Sequence, residues 1–133
     1  MKRRDFVASA FAAAGGIAAV SARAESASAD AWTNVIFTKQ QPGHWKDKEA
    51  LHVPAVAISG SKVTVTTPHP MTEEHHIVSH TVVLAGGKFL SRKTFTWKDA
   101  PVSEHTLPEG YHGRLTVTST CNQHDWWVAE ANV

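Results

Sequence analysis

From Val53 onward, apolar and polar residues alternate in short runs separated by turn residues. Val53–Ile58 is the first run, ended by Ser59-Gly60. Lys62–Thr67 (KVTVTT) alternates strictly and puts Val63 and Val65 on one face. His75–Leu84 follows, and Ala85-Gly86-Gly87-Lys88 reads as a hairpin turn. Phe89–Trp97 alternates through Arg92, Thr94 and Thr96, Arg114–Thr120 (RLTVTST) alternates again, and Trp126–Ala131 supplies a last strand. Pro101–Tyr111, with Pro101, Pro108 and Gly110, reads as a longer loop, and Gln41-Pro42-Gly43 as a turn. Trp32–Phe37 is apolar without an assignable element type. No stretch of a dozen residues shows helical periodicity. Six or seven strands with turn signals between them predict an all-β chain, a single antiparallel β-sandwich of immunoglobulin-like outline.

The start of the chain has a different character. Met1–Ala24 opens with Lys2, Arg3 and Arg4, continues as a small-residue apolar stretch from Val7 to Val20, and closes on Ala22-Arg23-Ala24. A basic head, an apolar middle and an A-x-A end are the marks of an export signal. Arg3-Arg4-Asp5-Phe6-Val7 resembles the twin-arginine motif. The apolar stretch is shorter than the roughly 20 residues a membrane span needs, so stable membrane insertion is not expected. The expectation is a twin-arginine-type signal over residues 1–24, a leader over 25–44, whose first part Glu25–Asp30 is polar and alanine-rich, and the sandwich over 45–133. The protein is then exported or periplasmic. The twin-arginine route carries folded proteins, which implies that any metal is loaded before export.

Composition narrows the chemistry. The full 133-residue chain has a formal charge of +1. The first 24 residues hold four of the 13 basic and one of the 12 acidic side chains, so the remainder carries a net −2. That balance excludes the basic face of a nucleic-acid binder. One cysteine, Cys121, excludes an internal disulfide and a four-cysteine metal site. The nine histidines are many for this length, and all lie between His44 and His124.

Three clusters hold the candidate chemistry: His52-Val53-Pro54, then His69 to His76 (HPMTEEHH), then Cys121-Asn122-Gln123-His124. Each falls where a strand starts or ends, so the three can converge at one end of a sandwich. Cys121 and His124, three apart on a tight turn, can face one ion. A thiolate with imidazoles suits iron, copper or zinc rather than calcium or magnesium. An unpaired thiol is a liability in an exported protein, which favours a ligand role for Cys121. His75 and His76 project to opposite faces of an extended chain, so one of them at most joins such a site. His76, His80, His105 and His112 read as surface or hydrogen-bonded histidines, and His44 is a lesser ligand candidate. These spacings indicate a metal site without choosing the metal or the reaction.

Taken together, the motifs resemble the superoxide reductases, the neelaredoxin and desulfoferrodoxin family. His69-Pro-Met-Thr-Glu-Glu-His75-His76-Ile77 is similar to the family's H-P-x-x-x-x-H-x-I segment. Cys121-Asn-Gln-His124 followed by Trp127 is similar to its C-N-x-H segment and tryptophan, and Trp45-Lys46 with His52-Val53-Pro54 to its W-K-x-E-K-H-V-P segment. The resemblance implies an immunoglobulin-like sandwich of the one-iron class. It implies a mononuclear iron held by His52, His69, His75, His124 and Cys121, with the thiolate axial. It implies reduction of superoxide to hydrogen peroxide, a separate reducing protein as electron donor, and a homo-oligomer.

Two departures stand out. The family places a Glu-Lys pair directly before its first histidine, whereas here Ala50-Leu51 precede His52 and Lys48-Glu49 sit further back. Lys48 and Glu49 are therefore the candidate catalytic pair, with Lys48 attracting the anion from a longer loop. Asp125 stands where a glycine is common, and its carboxylate is expected to hydrogen-bond His124. A rival reading is an exported copper or iron electron-transfer or metal-binding protein without superoxide reductase activity, with Met71 as a further copper ligand. N-terminal sequencing of the exported protein is expected to start at Glu25; an intact Met1 refutes the signal.

Overall fold

The computed structural model describes residues 31–133. The expected signal over residues 1–24 and the leader residues Glu25–Asp30 lie outside the described residues. Asn34–Val133 folds as one unit. It contains β1 (Ile36–Phe37), a single 3₁₀ turn (Gly43–Trp45), the one-turn helix α1 (Glu49–His52), β2 (Ala55–Ser59), β3 (Lys62–Thr66), β4 (Ile77–Leu84), β5 (Lys88–Thr94), β6 (Val102–Thr106), β7 (Arg114–Cys121) and β8 (Asp125–Asn132). One sheet runs β1-β8-β7-β4-β5, the other β2-β3-β6. All pairings are antiparallel except β1 with β8, which is parallel. Among the described residues no helix is long and apolar enough to cross a membrane.

The alternating runs become strands because their apolar positions fall on one face. Val63 and Val65 of β3 pack against Val82 and Leu84 of β4 and Leu115 and Val117 of β7, all buried, and Leu107 closes the group. Such a layer, removed from water on both sheets, supplies the main drive for the sandwich. Gly86 and Gly87 turn the chain between β4 and β5 with φ 77 and 78, a region glycine enters without a Cβ penalty. Near the start of β4 the ladder to β7 slips between Ile77 and Ser79. That bulge changes the strand's parity, so Ile77 and His80 are both buried although three residues apart.

The expected loop Pro101–Tyr111 is corrected by the structure. Its first half is β6, paired in full register with β3. The inward positions of β6 are Ser103 and His105, not aliphatic residues, so the period-two signal is invisible to a hydrophobicity reading. They belong to a hydrogen-bonded chain through the core. Ser119 Oγ and Thr67 Oγ1 lie 2.7 Å apart, Thr67 Oγ1 and His80 Nε2 2.8 Å, and His80 Nδ1 and Ser103 Oγ 2.8 Å. The chain continues from Ser103 Oγ to His105 Nε2 at 2.8 Å and from His105 Nδ1 to Ser91 Oγ at 2.6 Å. Every buried polar side chain described finds a partner, so the layer escapes the cost of unsatisfied groups.

His80 is fully buried, and burial pushes its pKa down to about 4. The unfolded chain takes up this proton near pH 6.5, while the fold refuses it until about 4. His80 thus leaves stability complete above pH 6.5, erodes it as pH falls through that window, and adds no further loss below it. In urea melts His80→Gln should flatten the acid-side decline by up to roughly 3 kcal/mol; an unchanged pH profile refutes a neutral, buried His80.

Candidate metal centre

Three chain segments meet at one end of the sandwich. The first is α1. Leu51 N–H bonds the Lys48 carbonyl at 3.3 Å and Val53 N–H the Glu49 carbonyl at 3.0 Å, and Pro54 prevents the helix from continuing. His52, its last residue, is buried. Its Nδ1–H donates to the Lys48 carbonyl at 2.8 Å, which leaves the Nε2 lone pair bare. The second segment joins β3 to β4. His69 N–H bonds the Thr67 carbonyl at 2.8 Å, and His69 Nδ1–H donates to the Pro70 carbonyl, again freeing Nε2. A closed turn between Thr72 and His75 curves the loop, with main-chain bonds of 2.9 and 3.2 Å. The third segment is the β7–β8 turn, which carries Cys121 and His124. Asn122 Nδ2 and Gln123 Nε2 both donate to the Glu74 carbonyl, at 3.0 and 2.8 Å, and tie this turn to the histidine loop.

The five residues singled out in the sequence, His52, His69, His75, Cys121 and His124, are brought together. Each offers one donor atom, and the five atoms lie within 4.8 Å of one another. Successive nitrogens are evenly spaced: His69 Nε2 to His75 Nε2 is 3.1 Å, His75 Nε2 to His124 Nδ1 is 3.0 Å, and His124 Nδ1 to His52 Nε2 is 3.1 Å. Cys121 Sγ lies 3.2 Å from His75 Nε2, 3.6 Å from His124 Nδ1 and 3.9 Å from His69 Nε2. Two nitrogens bound about 2.1 Å from one ion at right angles stand about 3.0 Å apart. The observed spacing therefore fits four imidazoles around one transition-metal ion with the sulfur adjacent to them.

The electrostatics agree with that fit. Burial lowers the pKa of His52 to about 4. Burial is also the leading cause of the lowered values of His69, His75 and His124, and neighbouring histidines add to it. At neutral pH these rings are uncharged and hold lone pairs for a cation. Burial pushes the Cys121 thiol up, while the main-chain N–H groups of Gln123 and His124 oppose the shift. A metal must displace that proton, and the two N–H donors then stabilise the thiolate.

Other candidates fall elsewhere. His44 packs its ring on Phe37 and Trp45, with centroids 5.3 and 4.4 Å away, and stands outside the donor set. Met71 Sδ accepts the Ile77 N–H at 3.3 Å, and the side chain packs against the buried cluster of Ile77, Phe95 and Cys121. Glu49 lines a surface cavity of about 460 Å³ with Lys39, Ala50, Val53, Pro54 and Ala55. The positive charge of Lys48 is felt at the donor set, where it contributes to the lowered values of both His75 and His124. The bond expected between Asp125 and His124 is corrected. Asp125 Oδ2 instead accepts the Trp45 indole N–H at 2.9 Å, and Trp45 stands edge-on to the His124 ring at 4.6 Å. Trp45 was legible only as a motif residue, and no local spacing signals a contact 80 positions away.

The family model described as desulfoferrodoxin matches residues 43–130, two thirds of the chain and all three ligand segments. The chain belongs to the desulfoferrodoxin family. Solved structures similar to it include a superoxide reductase (neelaredoxin) from Ignicoccus hospitalis, 25% identical, with a TM-score of 0.67 over 74% of this chain and 93% of that one. A superoxide reductase (neelaredoxin) from Archaeoglobus fulgidus is 29% identical, TM-score 0.56, over 65% and 90%. A superoxide reductase from Treponema pallidum is 27% identical, TM-score 0.55, over 62% and 67%. No curated protein sequence matches the chain. This desulfoferrodoxin-family fold thus places its histidines and cysteine where three segments converge.

His52→Ala should weaken metal binding by at least the roughly 10–100-fold that even outer partners of ligands command. His44→Ala should leave it intact. Metal content after dialysis against a chelator reads the difference, and the reverse pattern moves the first ligand to His44.

Proposed function

We propose that the chain is a one-iron superoxide reductase, which reduces superoxide by one electron to hydrogen peroxide. The observation that carries this reading is the convergence of four neutral imidazoles and one buried thiol, with all five donor atoms within 4.8 Å. His52, His69, His75, His124 and Cys121 would hold the metal. Iron bound there would supply the one electron that, with two protons, takes superoxide to hydrogen peroxide, and a separate reducing protein would have to return that electron. Four neutral imidazoles and one thiolate leave a ferrous centre with a net +1, which favours an anion.

The chain's own residues shape this site in three ways. The Lys48 and Pro70 carbonyls fix His52 and His69 in the tautomers that expose Nε2. Once a metal had displaced the thiol proton, the N–H groups of Gln123 and His124 would favour the thiolate and temper the electron density it donates. Lys48, exposed and within electrostatic reach of His75 and His124, draws the small anion to the more open side of the ring. Glu49, at the first turn of α1, lines the surface cavity with Lys39. Superoxide arising outside the cytoplasm is the substrate on this reading, supported by the export-like sequence of residues 1–24.

The purified protein should bind about one iron per chain, show a thiolate-to-iron charge-transfer band, and consume superoxide without releasing oxygen. Cys121→Ser should abolish the band and lower the rate by at least ~100-fold. A coloured, active Cys121→Ser variant, or oxygen release by the parent protein, refutes the reading.

A further inference from the structure

The segment from Gly43 to His52 carries Lys48 and delivers His52, yet it contains only one turn of 3₁₀ and one turn of α-helix. Two side chains pin it. Asn34 Oδ1 accepts the His44 N–H at 2.8 Å, beneath Gly43 (φ +51), where an added Cβ would collide with the Asn34 side chain. Asp125 Oδ2 accepts the Trp45 indole N–H at 2.9 Å. Beyond Trp45 the segment is a chain of local bonds. The Trp45 carbonyl takes the Lys48 N–H at 3.0 Å, and the Lys48 carbonyl takes both the Leu51 N–H and the His52 Nδ1–H. Holding the Trp45 ring therefore restrains the Lys48 main chain.

Asp125 occupies a costly backbone position. It closes the β7–β8 turn with φ 68, a left-handed conformation that glycine adopts freely and other residues adopt with strain. The turn geometry by itself is better served by glycine. What the carboxylate adds is the acceptor for Trp45, whose ring stands against His124 at 4.6 Å.

We propose that Asp125 is a positioning residue: by accepting the Trp45 indole N–H it latches the Gly43–His52 segment across the β7–β8 turn and holds in place Lys48, whose carbonyl orients the His52 ring, for incoming superoxide. This rests on the superoxide reductase reading for its effect on rate, and on geometry alone for the latch.

The test compares Asp125→Gly, which relieves the backbone and deletes the acceptor, with Asp125→Asn, which keeps an acceptor and deletes the charge. In zinc-substituted protein the Trp45 indole N–H, assigned with Trp45→Phe, should exchange with solvent at least about tenfold faster in Asp125→Gly than in wild type. Asp125→Asn should restore most of the protection. In the iron protein Asp125→Gly should slow superoxide reduction to an extent comparable with Lys48→Ala, and the double variant should be no slower than Lys48→Ala alone, as expected for residues acting through one element. Unchanged Trp45 protection in Asp125→Gly overturns the latch. Additive losses in the double variant overturn its action through Lys48. A wild-type protein inert toward superoxide defeats the proposed function, and the exchange measurement still decides the latch.

Discussion

Lone pairs of neutral imidazoles aimed at one another repel unless a cation or a shared proton lies between them. In this fold the tautomers of His52 and His69 are set by main-chain carbonyls, so their Nε2 atoms are committed as acceptors. His75, His124 and Cys121 close in from two other segments until all five donor atoms lie within 4.8 Å. Burial keeps the rings uncharged and so removes protonation as a way to relieve the crowding at neutral pH. A metal ion resolves it. The same ion cross-links α1, the β3–β4 loop and the β7–β8 turn, so metal affinity and the stability of this end of the sandwich are one quantity seen from two sides.

The inward face of β7 shows how the scaffold is graded toward that end. Leu115 and Val117 belong to the aliphatic layer, Ser119 to the hydrogen-bonded layer with Thr67 and His80, and Cys121 to the donor set. A rigid apolar core lies farthest from the site, and a polar, directional network stands between the two. The network includes inward residues of β4, β6 and β7, so it joins both sheets and fixes their relative register by hydrogen-bond geometry as well as by packing. The bulge at the start of β4 serves the same gradient: it lets Ile77 back the cysteine while His80 enters the polar layer.

What the sequence made legible follows from these layers. β3 and β7 were visible because their buried positions include aliphatic residues alternating with threonines, and the donor residues because Cys121, His124, His69 and His75 sit in short motifs near strand ends. β6 was hidden because Ser103 and His105 face inward as partners of other polar groups, which no hydrophobic period can report. The turn of α1 was hidden because four residues carry no periodicity. The longer spacing before His52 looked like a disruption of the motif. In the structure it is a helical turn whose Lys48 carbonyl orients the very histidine it precedes.

That helical turn also explains why charge near the ring depends on a distant carboxylate. Lys48 is presented by backbone that has little packing of its own: within Lys46–Leu51 only Glu49 is partly shielded from solvent. A long ammonium side chain on such backbone gains little direction from local structure, and its rotamer freedom works against any single pose. Restraint has to come from outside the segment. The one indole in it is held by Asp125, the residue after His124, so the turn that supplies a donor to the ring also fixes the strand of chain that supplies the cation beside it. A glycine at position 125 would make an easier turn and leave that cation unguided; the aspartate spends backbone strain on alignment.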